Sequence, residues 1–231
     1  KIASHQLEVS EGKLKLQDGK IGSVENEEKT VSFKEIANFA YKRVLFLPKG
    51  MEPGLKEIAY YKTQMAKRPS RENFNIQITH ANSVHAVKVE VDAKSGAVRF
   101  LRYVITHDCG TQINPGIIEG MVIGSTVHGI GATLLENFVY NEDGQLLAST
   151  FMDYLKPLAI NVPKFELGHM ESPCPYTLLG TKAVGEGGSL ASLAAIANAV
   201  EDALSPFGVT VTSLPITPEK VMRAITETKR I

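Results

Sequence analysis

Gly180-Thr181-Lys182-Ala183-Val184-Gly185-Glu186-Gly187-Gly188, followed at once by Ser189-Leu190-Ala191-Ser192-Leu193-Ala194-Ala195, sets one carboxylate among glycines at the entrance to a periodic apolar segment. Glycine lacks a Cβ, so backbone N–H groups here can approach a bulky polar ligand, and a nest of donors is expected. After Gly188 the residues Leu190, Leu193, Ala194, Ala197, Val200 and Leu204 fall near helical spacing. That places Glu186 just before a helix N-terminus, where free N–H groups favour anions. The order is not that of a phosphate loop, because Lys182 precedes the glycines and no Lys-Ser or Lys-Thr pair follows them; this argues against an ordinary nucleotide triphosphatase. On spacing alone, an acid followed by two glycines also describes an ordinary loop.

Upstream, His85-Ala86-Val87-Lys88-Val89-Glu90-Val91 alternates as a strand, Asp92 to Gly96 turns, and Val98 to Thr106 returns as a second strand. This hairpin delivers His107-Asp108-Cys109-Gly110. Asn114-Pro115 has the form of an N-cap with proline at the first helical position, opening a helix to about Leu135. Gly116, Gly120 and Gly124 recur every four residues along it. Each costs about 1 kcal/mol against alanine in a helix interior, so that face needs a compensating close contact. Either tight helix-to-sheet packing or close approach to a cofactor accounts for the row.

Residues 1 to 30 read as a charged hairpin turning at Asp18-Gly19. Ser32-Phe33-Lys34-Glu35 has capping-box spacing before a short amphipathic helix that ends near Leu47-Pro48. Phe138 to Ala148 reads as another hairpin, and the passage through Pro157, Pro163, Pro173 and Pro175 as loop. Val209 to Thr212 reads as a short strand, and Thr217-Pro218 opens a final helix ending near Lys229.

Composition narrows the class. The chain has 231 residues, 43% apolar and 22% charged, enough for a sizeable core in one large or two small domains. Lys plus Arg and Asp plus Glu balance at 25 each, so there is no basic footprint for nucleic acid. The apolar run within Ser189 to Leu204 is too broken for a membrane span, and Lys1 to His5 lacks the apolar core of a secretory signal. Cys109 and Cys174 lie far apart, which favours reduced, buried thiols in a cytoplasmic setting.

With Asp108-Cys109-Gly110, Ile113-Asn114-Pro115, the glycine-punctuated helix, Phe151-Met152-Asp153-Tyr154 and Lys182-Ala183-Val184-Gly185-Glu186 in this order, the chain resembles the C-terminal part of the molybdopterin-binding large subunit of the xanthine dehydrogenase, aldehyde oxidase and carbon monoxide dehydrogenase family. The similarity covers roughly residues 30 to 231, includes Leu214-Pro215-Ile216-Thr217-Pro218-Glu219, and is nearest to prokaryotic members with separate subunits. It implies an α+β fold of mixed sheets and hairpins with packed helices, residues 1–231 forming one half of such a subunit, in one domain or two subdomains.

The resemblance also implies an oxidoreductase, a cytoplasmic molybdenum hydroxylase working in a multi-chain complex. It would oxidise an aldehyde or N-heterocycle with oxygen taken from water. The implied cofactor is molybdopterin carrying molybdenum, in its cytosine dinucleotide form, with 2Fe-2S clusters and FAD on partner subunits. Glu186 matches the family's catalytic glutamate, a general base. Asp108, Gly110, Lys182, Ala183, Val184 and Gly185 fall where the family lines the cofactor, and no side chain is assigned to ligate the metal directly. Where the family commonly has glutamine, this chain has Met121 and His128; the second position often faces the cofactor, and His128 retains one hydrogen bond to donate there.

The family's first molybdenum-subunit half has no counterpart in this sequence, so a partner chain carrying the other half of the site is expected, beside iron-sulfur and flavin subunits and a small-molecule substrate. Two cysteines cannot hold a four-cysteine cluster. Neither nucleic acid nor membrane insertion is expected. Two alternatives stand beside the hydroxylase: a noncatalytic structural or assembly protein keeping the fold, and a carbon monoxide dehydrogenase-type subunit, whose copper-binding cysteine loop would lie in the missing half.

Overall fold

Asp18 and Gly19 both take positive φ, 50° and 73°, the geometry of a two-residue turn whose twist matches its flanking strands. In the computed structural model, which describes residues 1–61 and 79–228, this turn joins β1 (Leu14–Gln17) to β2 (Lys20–Ser23), and β3 (Thr30–Ser32) adds to β2 as a further antiparallel strand. The sheet lies between two helices in sequence, α1 (Ile2–Leu7) and α2 (Phe33–Lys42). The capping box at α2 is formed in full: Ser32 Oγ accepts from the Glu35 N–H, and the Glu35 carboxylate accepts from the Ser32 N–H. Ile2, Ala3, Val31, Ile36 and Ala40 make the core of this first compact unit, Lys1–Lys62. α1 and β3 depart from the simple hairpin expected over residues 1 to 30, and α2 stops at Lys42 rather than near Leu47.

The second unit, Thr63–Ile231, is built on β4 (Asn82–Val91) and β5 (Val98–Asp108), antiparallel with Asn82 opposite Asp108 and a register shift at Lys88/Val89. β6 (Phe165–Met170) runs parallel to β5, with Tyr103 opposite Phe165 and Asp108 opposite Met170. A parallel pair requires a crossover, and α3 (Pro115–Leu134) lies within it. As expected, Asn114 caps α3, its side chain accepting from the Ile117 N–H with Pro115 at the first helical position. α4 (Ser189–Leu204) packs on both β4 and α3. α5 (Pro218–Thr228) closes the unit, and Lys229 lies outside the described residues. The result is the α+β architecture expected.

Several local readings are corrected. The proline-rich passage contains β6, a strand between Pro163 and Pro173 whose pairing partner is some sixty residues away in sequence. Val209 to Thr212 forms no strand: the Val211 N–H donates to the Glu201 carboxylate at 2.8 Å, which removes a ladder donor. Phe138 to Ala148 keeps its turn but reduces to an isolated bridge, Tyr140 to Leu146. The glycine row of α3 makes no tight packing contact: a Cβ at Gly120 or Gly124 would meet open space.

α3 is also long and apolar enough to cross a membrane by length and composition alone. It is a core helix on one face: Ile118, Val122, Thr126 and Ile130 are buried, and the Thr126 and Thr133 hydroxyls donate back to the carbonyls of Val122 and Gly129. On α4 the buried stripe is Ser192, Ile196, Val200 and Leu204, with Leu190 turned outward at 73% exposure. Ile196 is fully buried. Ile196→Ala is therefore expected to cost about 2–5 kcal/mol, and Leu190→Ala less than about 0.5 kcal/mol, in urea unfolding of the chain. Equal effects at the two positions would contradict this packing.

Candidate functional site

β5 ends in Asp108, whose carboxylate is almost wholly enclosed. Oδ1 accepts from the N–H of Gly110 at 2.9 Å and of Ser172 at 3.1 Å, and Oδ2 lies 3.0 Å from Lys182 Nζ. The two side chains are only 11% and 13% exposed. Burial alone would push the Asp108 pKa up, but the donated hydrogen bonds outweigh it and hold the carboxyl well below the usual carboxylate range. Gly110 then turns with φ 68°, and a Cβ there would overlap the Gly180 carbonyl. Only glycine satisfies both conditions. The Gly180 carbonyl accepts from the N–H groups of Thr111 and Cys174, and the Lys182 N–H donates to the Cys109 carbonyl at 2.7 Å. Thus the glycine-rich segment is stapled to the end of β5.

Beyond the staple, the chain turns outward. Ala183, Gly185 and Glu186 are exposed, while Val184 packs against the core. The Gly187 N–H donates to the Val184 carbonyl, and the Glu186 carbonyl accepts from the N–H groups of Ser189 and Leu190. The first amides of α4 are thereby occupied, so the free donors expected at that helix N-terminus lie earlier in the chain. Among the described residues, no acceptor is recorded for the N–H groups of Ala183, Val184, Gly185 and Glu186. Four successive unused amides form a row suited to an acceptor-rich ligand.

The outward face of α3 borders this row. Ile117, Gly120, Met121, Gly124 and His128 are exposed and fall at helical spacing on one face. A Cβ on Gly185 would touch Met121 Cε at 3.8 Å, which makes the loop and this face continuous. Among the described residues no group of three or more His, Cys, Asp or Glu side chains is arranged to hold a metal ion. The groups turned outward here are consequently backbone amides, which donate, with the exposed residues Glu186, whose carboxylate accepts, and His128 beside them. Cys109 and Cys174 are buried, and burial pushes the Cys109 thiol up.

Sequence reasoning did not single out the residues that grip the loop from below. Ser83 Oγ donates to the Gly187 carbonyl at 2.6 Å, the Gly188 N–H donates to Ser125 Oγ at 3.1 Å, and Thr126 Oγ1 donates to the Gly188 carbonyl at 3.3 Å. His107 lies beneath Gly187. Ser83 takes an inward position on β4, but the alternation read from the sequence begins at His85 and does not point to it.

The buried pair yields a pH test. A carboxyl whose folded pKa is depressed adds stability that is present above its unfolded pKa of about 3.9 and is lost as the pH falls towards its folded value. Asp108→Asn leaves the Lys182 charge buried without its counter-ion, at a cost of about 3–5 kcal/mol near neutral pH. The gap between parent and variant in urea unfolding should narrow as the pH drops below about 4. A gap unchanged down to pH of about 2 would contradict the pairing.

Comparison with known proteins agrees with this architecture. The family model for the molybdopterin cofactor-binding domain matches residues 1–163. The nicotine 6-hydroxylase large subunit of Paenarthrobacter nicotinovorans is 39% identical over 96% of this chain and 26% of its own length. The carbon monoxide dehydrogenase large chain of Hydrogenophaga pseudoflava is 32% identical over 98% of this chain and 26% of its own length. Among solved structures, quinoline 2-oxidoreductase from Pseudomonas putida 86 superposes with a TM-score of 0.75 at 35% identity, covering 98% of this chain and 27% of that one. The chain thus spans about a quarter of the length of the curated relatives it matches. With a matching family model over most of its length and the same fold in a solved relative, the chain belongs to the molybdopterin cofactor-binding family of the xanthine dehydrogenase, aldehyde oxidase and carbon monoxide dehydrogenase large subunits.

Proposed function

We propose that this chain is the C-terminal part of the molybdopterin-binding subunit of a molybdenum hydroxylase, with Glu186 as the general base. The observation that carries the reading is the row of unused amides at Ala183 to Glu186, ending in an exposed carboxylate beside the open glycine face of α3. Molybdopterin in its cytosine dinucleotide form presents phosphate and ring acceptors, which fit such a row of donors. When bound, it supplies the two-electron oxidation that puts water-derived oxygen on the substrate.

The chain's own residues divide the remaining work. The amides of Ala183, Val184 and Gly185 hold the ligand's acceptors, and the Asp108–Lys182 pair, with Gly110, fixes the loop that carries them. Gly120 and Gly124 present α3 backbone without a Cβ to a close neighbour, and His128 offers a ring N–H from the same face. Glu186 accepts the proton at a carboxylate oxygen as the substrate is hydroxylated. An N-heterocycle is the favoured substrate class, since the nicotine and quinoline enzymes show 39% and 35% identity. Carbon monoxide is the second reading, resting on the 32% relative. The rest of the molybdenum subunit, with 2Fe-2S and FAD subunits to take the electrons, completes the cytoplasmic complex.

Three outcomes test this. In the assembled enzyme, Glu186→Gln should leave molybdenum content near the parental value while turnover falls by about two to four decades; near-parental turnover would remove the base from Glu186. His128→Gln should keep molybdenum occupancy, because its side chain adds one neutral hydrogen bond of about 0.5–1.5 kcal/mol; loss of most of the metal would make His128 a principal contact. Metal analysis of residues 1–231 produced alone should find little molybdenum, and production together with the rest of the molybdenum site should restore it. Stoichiometric metal in the chain alone would overturn the shared-site reading.

A further inference from the structure

His107 is the next-to-last residue of β5 and is 1% exposed. Neither ring nitrogen has a hydrogen-bond partner among the described residues. Such a group is costly to bury, so a buried imidazole used only as filler would be better served by an apolar side chain. Burial, then the neighbouring His169, lowers its pKa, with Asp108 opposing.

What lies against the ring is Gly187. A Cβ built there would overlap His107 Nε2 and Cδ2, whereas its next neighbour, the Val184 carbonyl oxygen, stands at an ordinary 3.4 Å. The glycines with positive φ do not include Gly187. Its backbone conformation therefore does not demand glycine, and the imidazole does. The Gly187 and Gly188 peptide groups are meanwhile fixed from other sides by Ser83 on β4 and by Ser125 and Thr126 on α3. Glu186 is the residue immediately before this clamped pair, and its own carbonyl is held by Ser189 and Leu190.

The geometry points to His107 as a positioning residue: its imidazole is the seat on which Gly187 rests, and it sets the direction in which Glu186 presents its carboxylate. The inference rests on the reading of Glu186 as the general base and adds the contact that orients it. His107 touches neither substrate nor cofactor in this scheme; it acts through the backbone at Gly187.

The test is a size-exchange pair in the full-length molybdenum subunit assembled with its partner subunits. Nicotine and quinoline serve as probe substrates, with molybdenum content and amide hydrogen exchange over residues 187–190 as readouts independent of activity. Gly187→Ala should lower kcat by at least about tenfold, since small misplacements at a reacting centre are amplified. KM should change less than kcat, because a displaced base weakens the transition state more than substrate binding. Hydrogen exchange in the loop should quicken by about tenfold or more as the clamp opens. The double variant His107→Ala/Gly187→Ala places the new methyl in the space the ring has left. It should recover loop exchange to within about threefold of the parent and regain at least about fivefold in kcat over Gly187→Ala. Parental kcat and exchange in Gly187→Ala would overturn the proposal. So would a double variant no better than Gly187→Ala in yield, exchange and kcat. Glu186→Gln, measured alongside, separates the two readings: if it turns over normally the base assignment fails, while rescue of loop exchange still reports on the seat.

Discussion

The structure hangs on one enclosed carboxylate. Asp108 receives hydrogen bonds from the turn that follows β5, from Ser172 just after β6, and from Lys182 in the glycine-rich segment. Taking both charges of the pair out of water costs about as much as their attraction returns, so its contribution is less to net stability than to registry. β5 and β6 are parallel and end side by side at Asp108 and Met170. In this chain a single side chain ties both strand ends to the glycine-rich loop. The arrangement tolerates little substitution at Gly110, because the turn it makes and the carbonyl it admits are both set by the staple.

How much of this could be read in the sequence depended on the range of the interaction that decides each element. Ser32 with Glu35 and Asn114 with Pro115 are local signals, and both caps formed as their spacing predicted. The hairpin of β4 and β5 announced itself by alternation, and α4 by its apolar period, although the buried stripe centres on Ser192 and Ile196 and leaves Leu190 outside. β6 did not, since its six residues sit among prolines and are stabilised by a partner on the far side of α3. Val209 to Thr212 misled for the opposite reason: β-branched composition argued for a strand where a carboxylate from α4 takes the backbone donor instead.

The candidate site shows the same division. The motif from Lys182 to Glu186 was legible as a motif, and the structure adds why its residues lie where they do. Lys182 is spent on Asp108, and the N–H groups of the following residues have no acceptor among the described residues. The clamp below the loop was not legible at all. Ser83, His107 and Ser125 stand roughly sixty to one hundred residues from the glycines they hold, in strands and a helix whose own patterning is fully explained by secondary structure.

Two populations of glycine in this chain draw the line between what the domain needs for itself and what it offers outward. At Gly110, Gly187 and Gly188 an added Cβ would collide with atoms of the same chain, so internal packing accounts for them. At Gly120 and Gly124 it would meet nothing, although each glycine in a helix interior costs about 1 kcal/mol against alanine. A helix that folds for its own sake would have alanine there. The side chains flanking that row, Ile117 and Met121, are exposed and apolar, and the row runs into the loop through Met121 and Gly185. The unexplained glycines are therefore continuous with the unused amides of Ala183 to Glu186. A surface whose helix lacks Cβ atoms on one side, and whose loop turns exposed N–H groups outward on the other, is suited to a close, acceptor-rich neighbour.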